Sequence, residues 1–102
     1  MDEPWIIFLE EFRERAETLP EQQPVDREEL AEALQETQEA TLDRFQHQLD
    51  LRLGDARRLA RGFSKVAEAW ILEDNASDWD QLEERLGIFQ TEWDAEIGTS
   101  PA

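Results

Sequence analysis

His47 is the only imidazole in the chain, and it is the first place to look for acid–base or metal chemistry. Glu36, Glu39, Asp43 and Asp50 share its side of a helix, and Asp43 lies four residues before it. That spacing would let Asp43 and His47 touch one ion. Several chains packed together could build a carboxylate–histidine metal centre from such residues. The Glu-x-x-His pair of di-iron bundles is missing, however, because position 44 is arginine. The face also points away from the expected core, and catalysis wants a dry, shaped cavity. The expectation is an exposed polar face with no metal and no cofactor; a carboxylate/His metal-binding bundle is the lesser alternative.

Nucleophiles fare no better. The chain has no cysteine, which excludes disulfides, thiolate chemistry and cysteine zinc sites. Ser64, Ser77 and Ser100 have no spacing that ties them to His47, and no glycine-rich phosphate loop occurs. The segment His47-Gln48-Leu49-Asp50-Leu51 resembles the His-x-Leu-Lys-Gly motif of histidine phosphotransfer domains only at the histidine and the leucine. Asp50 in place of lysine would repel phosphate, and Leu51 replaces the glycine that makes room for it. No catalytic residue is expected, and the chain reads as non-enzymatic.

Charge is the strongest compositional signal. The 102 residues include 26 acids and 10 bases, for a net charge of −16, and Lys65 is the only lysine. The sign varies along the chain: −11 over residues 1–43, +4 over 44–65 and −9 over 66–102. Arg57, Arg58, Arg61 and Lys65 form a basic patch on one face of a helix, opposite Leu59, Phe63, Val66 and Trp70. Antiparallel packing of the acidic last helix on this basic middle would relieve repulsion and set register. Four cations within a field of −16 cannot supply the phosphate neutralisation that nucleic-acid binding needs.

The elements that would carry these residues are helical. Trp5, Phe8, Leu9, Phe12, Ala16 and Leu19 recur at three-and-four spacing from about residue 3 to 19, with Pro4 in the first turn. Ile6 and Ile7 lie off that stripe, so the helix start is apolar most of the way round. Either other helices cover it on two sides, or it docks into a second chain. Trp5, Ile6, Ile7, Phe8, Leu9 and Phe12 are therefore the expected interface, aromatic residues being favoured anchors. A connector with Pro20 and Pro24 follows, and then Asp26 as N-cap with Glu29 as its reciprocal partner.

From there the apolar spacing runs on through Leu42, Phe45, Leu49, Leu53, Leu59, Phe63, Val66 and Trp70. Gly54-Asp55 could break it, but one interior glycine costs only ~1 kcal/mol. A single long helix over residues 26–73 is expected, roughly 70 Å in length and bent near Gly54. Ser77 and Asp80 form a second capping box. The last helix carries Trp79, Leu82, Leu86, Phe89, Trp93 and Ile97 and stops at Gly98.

The expected fold class is all-α: a helical bundle of three to four helices with a long central helix, assembled as a homodimer, with a compact monomeric four-helix bundle as the second reading. Residues 1–98 form one domain and 99–102 a flexible tail. The acidic start and five-residue apolar run make no signal peptide, and no stretch approaches the ~20 apolar residues of a membrane span, so a cytoplasmic protein without membrane contact is expected. The expected function is protein–protein interaction by helix packing, as an adaptor, assembly factor or chaperone. The alternative is an acidic inhibitor or nucleic-acid mimic that occupies a basic partner.

Overall fold

The computed structural model describes residues 3–17, 26–73 and 78–98. Four helices account for them: α1 (Pro4–Ala16), α2 (Arg27–Gln48), α3 (Leu53–Leu72) and α4 (Trp79–Gly98). Each packs on its sequence neighbours, and α1 closes the ring on α4. The ring contacts show antiparallel neighbours: Phe63 meets Phe89 and Trp70 meets Trp79, while Trp5 lies by Gln90 and Phe12 by Trp79. The bundle measures 48 × 22 × 21 Å.

The helix starts follow local chemistry. The Asp26 carboxylate accepts from the backbone N–H groups of Glu28 and Glu29 at 2.9 and 3.4 Å, which places the cap where its residue type expects it. Asp78 does the same for α4, accepting from Asp80 N–H at 3.1 Å. Ser77, the residue expected to cap this helix, lies outside the described residues, as do the proline connector and the 99–102 tail. The start of α1 is closed from another helix: Gln90 of α4 accepts from Trp5 N–H at 2.9 Å.

The long central helix is not formed. The chain turns between α2 and α3 at residues 49–52, with Asp50 in the left-handed region at φ 53°. The Leu51 N–H reaches back to the Phe45 carbonyl at 3.3 Å, and Arg52 is extended, opening α3. The break thus falls at Asp50, and Gly54 sits in the first turn of the new helix. Left-handed Asp costs about 1–2 kcal/mol. Folding back buries Phe45, Leu59, Phe63 and Trp70 against the rest of the core, at about 1.5–3 kcal/mol for each large apolar side chain. The apparent continuity of the stripe passed through Leu53, which is 43% exposed and belongs to no core face.

Phe63 is the centre of the packing. Its ring meets Phe8 of α1 at 5.5 Å, Phe45 of α2 at 6.3 Å and Phe89 of α4 at 5.3 Å between centroids. Phe8 stacks on Phe12, and Trp79 joins Phe12 to Trp70. Small residues let α2 approach: Ala33, Thr37 and Thr41 are buried, and the Thr37 hydroxyl donates to the Ala33 carbonyl at 2.7 Å. Gly62 is needed for another reason, because the Phe89 ring lies where a Cβ would stand.

Three substitutions test this packing. Phe63→Ala should cost about 3–5 kcal/mol in urea unfolding, since three helices lose one shared ring. Gly54 has open space around it, so Gly54→Ala should raise stability by about 0.5–1 kcal/mol. Gly62→Ala gains the same helix preference but must displace Phe89, a strain of about 1–3 kcal/mol, and should lower it.

Candidate functional site

The helix start expected to form an interface is largely core. Ile7, Phe8 and Phe12 are fully buried, while Trp5, Ile6 and Leu9 are half-buried. Of the two ways to shelter an all-round apolar helix, the structure uses cover within one chain, by α2 and α4. The Trp5 indole N–H donates to the Glu3 carboxylate, so its polar end is satisfied locally. A contact through this segment would have only Trp5, Ile6 and Leu9 to offer.

His47 stands on the outside of the last turn of α2, with its side chain 75% exposed. Its Nδ1 is 2.8 Å from the Asp43 carbonyl oxygen and 3.3 Å from the Asp43 carboxylate. Among the described residues no three His, Asp or Glu side chains group together as metal ligands. Ser64 lies on the buried face of α3, while His47 faces solvent on α2.

The basic patch has a different character. Arg57, Arg58, Arg61 and Lys65 are all exposed along the outer ridge of α3. Four of the six other cations are engaged, while Arg27 and Arg52 are exposed and, among the described residues, in no ion pair. Arg15 pairs with Glu11 at 2.7 Å, Arg44 with Glu10 and Glu11 at 3.2 Å, and Arg85 with Glu73 at 2.6 Å. Arg13 lies over the Trp79 ring at 5.4 Å. Among the described residues, no carboxylate comes within ion-pair distance of any of the four ridge cations. The acidic last helix does pack antiparallel on the basic middle, but it makes no ion pair with these four cations. The reason is geometric: α4 packs along the apolar flank of α3, while the cations occupy its crest and the flank towards α2.

The two grooves beside α3 are unlike. On the α2 side, Gln35 and Gln38 face Arg61, Ser64 and Lys65. Glu39 and Glu68 border that seam without pairing. The Ser64 hydroxyl is buried there and has no hydrogen-bond partner. On the α4 side, Val66, Ala69, Ile88 and Phe89 line an apolar groove of about 290 Å³ edged by Arg85 and Glu92. Beside it, the Arg85–Glu73 hydrogen bond holds the Glu73 carboxyl below its ordinary value, with desolvation opposing.

Periodicity alone located the ridge cations on one face. It gave no sign that they would remain unpaired, because that depends on which helix lies beside which. The apolar groove was missed for the same reason, since Ile88 sits off the core stripe of α4.

No family model, curated protein or solved structure matches this chain. Among the described residues, no helix is long and apolar enough to cross a membrane.

With a net charge of −16 and an unneutralised ridge, repulsion between acids dominates the long-range electrostatics. The thermal midpoint should rise between about 0.01 M salt, where screening extends about 30 Å, and about 1 M, where it extends about 3 Å. A midpoint that falls over this range would show that local ion pairs outweigh the repulsion.

Proposed function

We propose that this bundle is a non-enzymatic protein-interaction module that holds its partner along the outer ridge of α3. One observation carries the reading. In a chain with 26 acids and 10 bases, four adjacent cations stay exposed and unpaired. Grouped charges of one sign add their fields and steer an oppositely charged surface. Direct nucleic-acid binding is a poor use for them, because the surrounding acids would repel a polyphosphate before the ridge could neutralise it. An adaptor or assembly factor fits this arrangement.

A homodimer suits a single long helix, which would leave apolar surface uncovered. The four-helix ring shelters most of that surface, which leaves a dimer the groove around Ile88 and the half-buried Trp5, Ile6 and Leu9. The nucleic-acid mimic reading keeps one supporting observation: Glu28, Glu29, Glu32, Glu36 and Glu39 are all exposed along α2. It predicts capture of basic proteins through α2 instead of α3.

The test is affinity capture from the chain's own cell extract, comparing wild type with Arg58→Glu/Arg61→Glu/Lys65→Glu and with Glu32→Gln/Glu36→Gln/Glu39→Gln. The ridge variant should lose the partner and the α2 variant should keep it. The opposite pattern would favour the mimic, and retention by both would remove the ridge from the function.

A further inference from the structure

We infer that the ridge and the apolar groove beside it together receive an acidic amphipathic helix of a partner protein. This rests on the reading of the α3 ridge as the partner-binding face, and it names the chemistry of what binds there.

Charge complementarity sets one half of the occupant. Arg58, Arg61 and Lys65 follow one another at three- and four-residue steps, so they rise about 4.5 and 6 Å along the axis. Carboxylates at the same three-and-four spacing on a helix laid alongside would meet them in turn. No carboxylate of this chain, among the described residues, takes that place.

The other half is apolar. Three large hydrophobic side chains are exposed among the described residues: Leu53 at 43%, Leu72 at 47% and Ile88 at 54%. Two lie at the ends of α3, and the third is on the helix packed beside it. Ile88 shares its groove with Val66, Ala69 and Phe89. Ala69 is small enough to let another backbone come close, as helices packed at 8–10 Å require.

The two halves run side by side along α3, the cations on one flank of the crest and the apolar groove on the other. A helix carries acidic and apolar stripes on adjoining faces and matches this layout. An extended strand would put its alternate side chains on opposite sides and could satisfy only one half. A second copy of this chain is the poorer occupant, because its exposed acidic face on α2 carries none of the large exposed hydrophobic side chains, which among the described residues lie on α3 and α4. The 20 residues of α3 give a track of about 30 Å, so the occupant should be of similar length.

The experiment uses the full chain and a synthetic helical peptide of about 20 residues with leucine on one face and glutamate on the adjoining one. A scrambled peptide of the same composition is the control. Binding is read by fluorescence anisotropy of labelled peptide at about 0.15 M salt, where screening confines charge effects to about 8 Å. The striped peptide should bind and the scrambled one should not. Arg61→Glu/Lys65→Glu and, separately, Ile88→Asp should each weaken binding at least about tenfold, or 1.4 kcal/mol. Far-UV circular dichroism checks that the variants keep their helices, and Arg61→Gln/Lys65→Gln and Ile88→Ser serve if they do not.

Absence of binding by the striped peptide would overturn the inference, as would equal binding of the scrambled one or indifference to both variants. A dimer by sedimentation that Ile88→Asp dissolves would also overturn it, making a second copy the occupant. If extract capture depends on the ridge while the peptide fails, only the partner's chemistry is wrong. If capture is also indifferent to the ridge, the functional reading falls with it.

Discussion

The ring of Phe63 is where three helices are tied to the fourth. It touches Phe8, Phe45 and Phe89, one aromatic from each of the other helices. Aromatic pairs at these separations contribute about 0.5–1.5 kcal/mol each beyond the area they bury. Because Phe63 must point at the bundle axis, the rest of α3 is oriented too. Ala56, Leu59, Ala60, Ala67 and Trp70 go inward with it, and Arg58, Arg61, Lys65 and Ala69 go outward. The cationic ridge is thus a consequence of the core: the same helix cannot turn its charges towards α4 without withdrawing Phe63.

That constraint explains how a chain of net charge −16 distributes its few cations. Arg44 draws Glu10 and Glu11 together and ties α2 to α1, while Arg85 meets Glu73 across the α3–α4 turn. Both pairs are at least partly exposed and contribute little by themselves. Their value lies in removing like-charge repulsion where helices meet. The ridge of α3 borders α2 on one flank only, and there Gln35 and Gln38 stand opposite Arg61 and Lys65, with no acid of the described residues paired to them. Glu39 and Glu68 are near but not engaged. The fold is complete with the ridge charges unsatisfied, and a partner can use them without dismantling anything.

Much of the architecture could be read from residue spacing. The stripes of α1 and α4, the cap at Asp26 and the inward set of α3 follow from hydrophobic periodicity and N-cap chemistry. The all-round apolar start of α1 allows cover by other helices or docking into a second chain, and spacing does not choose between them; α2 and α4 provide the cover. The turn between α2 and α3 was not legible. Leucines at 49 and 53 continue a helical spacing, and glycine at 54 draws attention from aspartate at 50, whose left-handed backbone makes the turn. Local preference favoured one helix; the burial gained by folding back was long-range and outweighed it. The candidate site was half legible. Spacing placed the four cations on one face, but their lack of partners and the groove beside Ile88 depend on the neighbours of α3 in space.

A protein of this size needs nearly all its apolar residues to hold itself together, because small domains bury a modest share of their surface. Large side chains left outside such a core are therefore informative when they gather, although a single exposed leucine is not. Leu53, Leu72 and Ile88 border one helix, and that helix also carries the unpaired cations. The inward face of α3 holds the fold together, and its outward face, with Ile88 beside it, carries the charges and exposed side chains on which the proposed partner contact rests.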